Sequence, residues 1–130
     1  MSKLKKRPIL VVDDEPDILN LTTKFLELGG FKIITSNNAK EAMKVIEERH
    51  KEISLVLLDV MMPGMSGMEV LRTIKKDQRY MDILVVLFTV KSFTEDIEKG
   101  RDLGADGYIT KPFSGKGLLK YVQNLLKEKA

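Results

Sequence analysis

Short apolar runs alternate with longer amphipathic segments along the whole chain, and this alternation limits the possible folds more than any other feature. We predict five strands, at residues 9–12, 31–35, 53–58, 83–88 and 108–110. The runs at 9–12 and 83–88 contain only apolar residues, as is typical of a parallel sheet covered by helices on both faces. The alternation therefore predicts an α/β fold of the (βα)5 type, with a doubly wound five-stranded parallel sheet.

The segment after the first strand carries clear signals for the start and the end of a helix. Pro16 suits the first turn, and Gly29 and Gly30 stop the helix. Apolar residues recur at helical spacing between these points. We expect the buried face to contain Ile18, Leu21 or Thr22, Phe25 and Leu28.

Four further helices are predicted between and after the remaining strands. One extends from Asn38 to about Arg49, and one follows the capping box formed by Ser66 and Glu69. A weaker helix is expected over residues 94–103, and the last one follows Ser114. The weaker helix contains a glycine at position 100, which costs about 1 kcal/mol relative to alanine.

Length and composition predict one globular domain. A chain of 130 residues can bury one core, so we expect a single domain over 1–130 without a separate output domain. The chain has no cysteine, which fits a cytoplasmic location, and no apolar run reaches the ~18 residues of a membrane helix. The net charge of +3 lies largely in a short basic leader, residues 1–7. We therefore expect neither direct nucleic-acid binding nor membrane insertion.

Charged and polar residues follow the predicted strands at the edge where the carboxyl ends of the strands meet. Asp13 and Asp14 follow the first strand, and Asp59 follows the third. Thr89 ends the fourth strand, and Lys111 follows the fifth. Ligands of open α/β sheets bind beyond this edge, so we predict that these five side chains form one site.

The predicted site has the chemistry of a magnesium-dependent phosphoryl acceptor. Three neighbouring carboxylates repel one another, and a divalent cation relieves that repulsion. Oxygen donors without cysteine or a nearby histidine favour Mg²⁺ over Zn²⁺. An aspartate can accept a phosphoryl group as an acyl phosphate. Lys111 and Thr89 would then hold the oxygens of the transferred group.

The motifs around these residues resemble the receiver domain of bacterial response regulators, of the single-domain chemotaxis-Y type. Four segments carry the resemblance: VVDDE at 11–15, LLDVMMPGMSG at 57–67, FT at 88–89 and GADGYITKPF at 104–113. They occur in the expected order, and the resemblance extends from Pro8 to about Leu126. It implies a flavodoxin-like fold with the strand order 2-1-3-4-5.

The resemblance implies a role for each residue around the metal. Asp59 would be the phosphoacceptor, and Asp14 and Asp59 would bind Mg²⁺ through their side chains. Met61 would bind the ion through its backbone carbonyl, and Asp13 would contribute through a water molecule. Lys111 would pair first with Asp59 and then with the phosphoryl group.

Other positions are implied to switch the surface of the domain. Thr89 would be the hydroxyl that moves to the phosphoryl group, and Tyr108 the aromatic that rotates inward with it. The peptide bond between Lys111 and Pro112 is expected to be cis. Val90 stands where the family usually has a small residue, so it could restrict the approach of water or of a partner.

Two side chains occupy positions that tune the lifetime of the phosphoryl group in this family, namely Met61 and Lys91. Because Met61 is apolar, we predict slower self-hydrolysis than in relatives with an amide-bearing residue at this position.

The resemblance implies a phosphoacceptor of a two-component signalling system, which is not an enzyme beyond assisting its own phosphorylation and dephosphorylation. A histidine kinase or a histidine phosphotransfer protein would supply the phosphoryl group. A downstream protein would bind the fourth helix, fifth strand and fifth helix, and the protein would be a monomer or a phosphorylation-dependent dimer. We expect this target-binding face near Lys91, Phe93, Lys99, Tyr108 and Lys120.

Two other functions share the chemistry at Asp59. A phosphorelay intermediate would pass the group onward to another histidine. A phosphohydrolase with an aspartyl-phosphate intermediate typically needs an acidic residue two positions after the nucleophile, where this chain has Met61.

Several of these residues also have purely structural interpretations. By themselves, Asp13 and Asp14 would be capping residues of the first helix, and Tyr108 a half-buried aromatic. His50, the single histidine, is expected to be solvated at a helix end and not to be a phosphodonor. The methionines at 61, 62, 65, 68 and 81 are expected to pack adaptably, or alternatively to form a docking surface.

Overall fold

The computed structural model describes residues 7–62, 64–90, 94–111 and 113–129. Five strands alternate with five α-helices, and a short 3₁₀ helix at Gln78–Tyr80 precedes the fourth strand. The strands are β1 (Ile9–Val12), β2 (Ile33–Ser36), β3 (Leu55–Asp59), β4 (Leu84–Val90) and β5 (Gly107–Lys111). The helices are α1 (Pro16–Leu28), α2 (Ala39–Arg49), α3 (Gly67–Lys76), α4 (Thr94–Asp102) and α5 (Gly115–Lys129).

All strand pairs are parallel, and the order in the sheet is β2-β1-β3-β4-β5. This confirms both the predicted (βα)5 architecture and the predicted strand order. All residues of β1 and β3 are buried, because these central strands have a neighbouring strand on each side and helices on both faces.

The core has two layers, one on each face of the sheet. On one face, side chains of β1, β3 and β4 pack against α2 and α3. On the other face, the alternate side chains of the same strands pack against α1 and α5. In the last helix, Leu118, Val122 and Leu126 are buried, and Leu119 and Leu125 pack beside them.

Side-chain caps are present at the start of three helices. The side chain of Asn38 accepts a hydrogen bond from the Glu41 amide, which makes it the residue before α2 rather than its first residue. Ser66 accepts from the Glu69 amide at α3, and Ser114 accepts from the Gly117 amide at α5. These bonds satisfy amide groups that have no partner within the helix.

The predicted buried face of α1 is partly wrong. Thr22 and Leu26 are buried, whereas Leu28 is 80% exposed and Leu21 is also exposed. The stripe that meets the sheet contains Leu19, Thr22 and Leu26, and the predicted Phe25 also packs against the core. The helix is therefore turned toward the register through Thr22 and away from the one through Leu21 and Leu28.

Strand β2 begins at Ile33, two residues later than predicted. The Phe31 amide donates to the Leu26 carbonyl, so Phe31 still belongs to the turn that ends α1. Gly30 adopts a φ of 90° in this turn, a conformation that glycine takes without steric cost.

The structure gives a packing reason for the glycine inside α4. A β-carbon at Gly100 would collide with the side chain of Leu87 on β4. The absence of a side chain therefore allows α4 to lie close to the sheet. Within the described part of the chain, no helix combines the length and the apolar character needed to cross a membrane.

Candidate functional site

The parallel sheet brings four strand ends to the same edge. Asp59 is the last residue of β3, and it pairs in register with Phe88 of β4. Thr89 comes next on β4, while Lys111 ends β5 opposite Val90. Asp13 follows β1 directly, and its amide continues the ladder by donating to Ser36 of β2.

Lys111 lies between two buried carboxylates. Its Nζ donates to Oδ2 of Asp13 at 2.9 Å and to Oδ1 of Asp59 at 3.3 Å. Oε1 of the exposed Glu15 lies 3.7 Å from the same nitrogen. The lysine is separated from Asp13 by 98 positions in the sequence, so the strand order of the sheet creates this contact.

Three carboxylates form a compact acidic cluster. One oxygen each of Asp13, Asp14 and Asp59 lies within 4.8 Å of the others. Asp13 and Asp59 are buried, and Asp14 is half-buried. The structure therefore brings together the three predicted acidic residues and Lys111.

The surroundings of Asp59 raise its pKa to about 7. Burial is the main cause, and the neighbouring charge of Asp13 adds to it. Lys111 acts in the opposite direction but does not compensate. A carboxyl group in this state binds a proton readily unless another cation takes its place.

Lys111 remains firmly protonated in this cluster. Burial favours the neutral amine, but the hydrogen bond with Asp13 and the charges of Asp59 and Asp13 outweigh it, so the pKa is raised. The lysine therefore supplies a permanent positive charge at the site.

The donor set fits a hard divalent cation. All three candidate ligands are carboxylates, their oxygens lie close together, and two of them are buried. Lys111 alone leaves an excess of negative charge, which a cation such as Mg²⁺ would neutralise. The three carboxylates are the side chains that would hold it.

The structure does not support the interpretation of Asp13 and Asp14 as capping residues of α1. The residue before α1 is Glu15, and its side chain makes no capping hydrogen bond. Oδ1 of Asp13 accepts from the Glu15 amide at 3.0 Å. This bond fixes the turn after β1 and leaves Oδ2 directed at Lys111.

The backbone after Asp59 is held on both sides. The Val60 amide donates to the Phe88 carbonyl at 3.0 Å, and the Val60 carbonyl accepts from the Gly67 amide at 3.1 Å. A β-carbon at Gly67 would collide with the Asp59 carbonyl oxygen. The start of α3 therefore packs directly against the residue that carries the central carboxylate.

The two predicted switch residues lie on neighbouring strands. Thr89 is buried at the end of β4, in register with Thr110. Tyr108 is 41% exposed in this arrangement. Its amide donates to the hydroxyl of Tyr121 at 3.1 Å, a contact that sequence reasoning did not predict.

Parts of the predicted target-binding face can be described. Lys99 and Lys120 are exposed, and a cavity of about 370 Å³ between α4 and β5 includes Tyr108 and Tyr121 in its lining. Lys91 and Phe93 lie outside the described residues. The side chain of Val90 and the peptide bond to Pro112 also lie outside them, so the predictions for both stay predictions.

Sequence reasoning missed three side-chain contacts, two of which lie beside the site. Phe113 stacks on Phe88 with the ring centroids 5.3 Å apart, and Lys111 Nζ lies 5.7 Å above the Phe88 ring. Lys75 donates to Asp106 at 2.8 Å, and this ties α3 to the start of β5. The aromatic residues beside Thr89 and Pro112 were the available signal for the first contact.

His50 lies at the end of α2 as predicted, but it is half-buried, and its ring meets the ring of Tyr80 at 5.3 Å. The methionines mostly follow the packing expectation rather than the docking alternative. Met62 and Met68 are buried in the core, while the exposed Met61 and Met81 lie at opposite ends of the strands.

Comparisons with known proteins agree with this geometry. The model of the response regulator receiver domain family matches residues 9–123. The chain is 37% identical to the phosphate regulon transcriptional regulatory protein PhoB of Pseudomonas aeruginosa, with 93% of this chain and 52% of that protein covered. It is 34% identical to the response regulator SaeR of Staphylococcus aureus, with 91% of this chain and 50% of that protein covered.

A similar fold is found in the chemotaxis protein CheY4 of Vibrio cholerae. The TM-score is 0.84 at 26% identity, and 92% of this chain and 98% of that chain are covered. The chain spans about half the length of the curated relatives that it matches. The family match, the parallel fold and the acidic cluster at the strand ends together establish that this chain belongs to the response regulator receiver domain family.

Proposed function

We propose that the protein is a phosphoacceptor of a two-component signalling system, in which Asp59 receives a phosphoryl group from a phosphohistidine with the help of Mg²⁺. The observation that carries the proposal is the contact of Lys111 with Asp13 and Asp59 in a cluster of three carboxylates. A buried aspartate beside a permanent cation and two further carboxylates that could bind a metal ion has the parts needed for phosphoryl transfer.

The proposed reaction exchanges one bond to phosphorus for another. A carboxylate oxygen of Asp59 attacks the phosphorus, the phosphorus–nitrogen bond of the donor breaks, and its electron pair returns to the imidazole. Lys111 then donates to an oxygen of the phosphoryl group instead of to Asp59. Mg²⁺ held by Asp13, Asp14 and Asp59 would supply the remaining positive charge for these oxygens.

The raised pKa of Asp59 gives the metal a second role before the reaction. The carboxylate must be ionised to act as a nucleophile, and burial opposes that state. A divalent cation at the cluster favours ionisation. We therefore expect phosphorylation to require Mg²⁺ most strongly below pH 7.

The phosphorylated domain is proposed to act through Thr89 and Tyr108 on a downstream protein at the α4–β5–α5 face. Because its curated relatives are about twice as long, the predicted single-domain organisation and the target stay predictions. A phosphorelay role would use the same site and differ only in the direction of the next transfer.

Acetyl phosphate, with and without Mg²⁺, provides a direct test. We expect intact mass to increase by one phosphoryl group only when Mg²⁺ is present, and not at all in Asp59→Asn. An increase of the same size in the variant would contradict the assignment of Asp59. No increase in folded wild-type protein would contradict the proposed function.

A further inference from the structure

Met61 has an exposed side chain at the rim of the candidate site. It is 58% exposed and lies two residues after Asp59, a separation that spans at most ~7 Å of chain. Val60 between them is buried and hydrogen-bonded to both Phe88 and Gly67. Since Val60 is fixed on both sides, Met61 leaves the sheet from a defined point beside Asp59.

Other methionines of this region allow the oxidation of Met61 to be compared with that of buried and of distant exposed residues. Met62 and Met68 are buried in the core, where an oxidant has little access. Met81 is 74% exposed, but it precedes β4 and therefore lies at the amino edge of the sheet, opposite the acidic cluster. The sequence has no cysteine, so no thiol competes for a peroxide.

We propose that Met61 is a peroxide-sensitive site and that its oxidation shortens the lifetime of the phosphoryl group on Asp59. The second part rests on the proposed function of Asp59, whereas the first part depends only on exposure and position.

Hydrogen peroxide is the oxidant in this step and supplies the oxygen atom. The sulfur lone pair attacks one oxygen of hydrogen peroxide, the O–O bond breaks, and a sulfur–oxygen bond forms. The sulfur loses two electrons, and the other peroxide oxygen leaves as water after proton transfer. The product is methionine sulfoxide, which is polar and accepts hydrogen bonds.

The changed polarity explains the expected effect on the phosphoryl group. A thioether is a weak acceptor and does not hold water at the site. A sulfoxide oxygen beside Asp59 binds a water molecule that can attack the phosphorus of the acyl phosphate. We expect hydrolysis to become about threefold to tenfold faster, the change that one positioning hydrogen bond provides.

To test this, the folded protein is treated with a limiting amount of hydrogen peroxide, and the unreacted peroxide is then removed. Peptide mass mapping measures the oxidised fraction of each methionine in wild type, Met61→Leu and Met81→Leu. Each sample is then phosphorylated with acetyl phosphate and Mg²⁺, and the decay of the phosphorylated mass is followed after removal of the donor.

We expect Met61 and Met81 to be oxidised before Met62 and Met68. Peroxide should shorten the phosphoryl lifetime in wild type and in Met81→Leu, and it should leave the lifetime unchanged in Met61→Leu. If Met61 is oxidised no faster than the buried methionines, it is not a peroxide-sensitive site. An unchanged lifetime in oxidised Met81→Leu overturns the regulatory effect.

The two proposals fail in distinguishable ways. If untreated wild type accepts no phosphoryl group, the proposed function fails and the lifetime effect fails with it. The mass map, which needs no phosphorylation, still decides whether Met61 is the sensitive residue at the site.

Discussion

At the scale of single residues, the burial of Asp59 links the proposed chemistry to the stability of the metal-free protein. Its pKa rises from 3.8 to about 7 on folding. Between these values the unfolded chain releases the proton while the folded protein keeps it. The free energy of unfolding therefore decreases as pH rises through this window, and the loss is complete above the folded-state pKa.

Asp59→Asn should stabilise the metal-free protein at pH 8, because the amide keeps the shape of the side chain without the charge. The expected gain is about 1–3 kcal/mol, given that each pKa unit corresponds to about 1.4 kcal/mol. Urea denaturation in the presence of a chelator measures it. The gain should be clearly smaller at pH 5, and an equal gain at both pH values would contradict this account.

Met61→Asn should shorten the lifetime of the phosphoryl group, since an amide at the rim can hold an attacking water and the thioether cannot. A decrease of about threefold or more corresponds to one added hydrogen bond. Met61→Leu is the matched apolar control and should decay like wild type. Decay measured by intact mass that is unchanged or slower in Met61→Asn would count against a role for this position.

At the scale of secondary-structure elements, the contact between α3 and the end of β3 positions the central carboxylate. Gly67 lies so close to the Asp59 carbonyl that a β-carbon does not fit. The neighbouring Gly64 has open space around it, although its φ of 77° disfavours other residues. These two glycines therefore separate the effect of close packing from that of backbone conformation.

Gly67→Ala should lower the free energy of unfolding by about 3 kcal/mol, because the clash is with backbone rather than with a flexible side chain. It should also slow phosphorylation by displacing Asp59. Gly64→Ala should cost about 1 kcal/mol from its left-handed conformation and leave the phosphorylation rate near that of wild type. Equal rates in both variants would argue against positioning by α3.

The elements differ in how well the sequence predicts them. The apolar runs of β1 and β4 predict buried strands because their composition does not depend on register. For α1, the positions 21 and 28 and the positions 22 and 26 fit helical spacing equally well, and packing against the sheet selects the second pair. The local sequence of α1 therefore does not distinguish between these two buried faces.

At the scale of the whole molecule, the parallel sheet assembles the site from residues that are far apart in the chain. Asp13, Asp59 and Lys111 were predictable because parallel strands end at the same edge. Two other contacts were not predictable from the sequence, namely the hydrogen bond from Tyr108 to Tyr121 and the ion pair of Lys75 with Asp106. They depend on how α5 and α3 lie on the sheet, which motifs at strand ends do not specify.

Binding of Mg²⁺ should stabilise the folded domain, because the unfolded chain does not hold the three carboxylates together. At a concentration 100-fold above its dissociation constant, the ion adds about 2.7 kcal/mol. The increase in Tm should be larger at pH 8 than at pH 6, where a proton competes at Asp59. Asp59→Asn should show a much smaller increase, and an equal one would place the ion elsewhere.

Chemical trapping of the phosphorylated residue tests the central claim most directly. Borohydride reduces an aspartyl phosphate to homoserine, and peptide mass spectrometry then locates the modified position. After incubation with acetyl phosphate and Mg²⁺, we predict homoserine at position 59 alone, with none formed when Mg²⁺ is omitted. Homoserine at position 13 or 14, or its absence from protein shown to be folded and to bind Mg²⁺, would contradict the account.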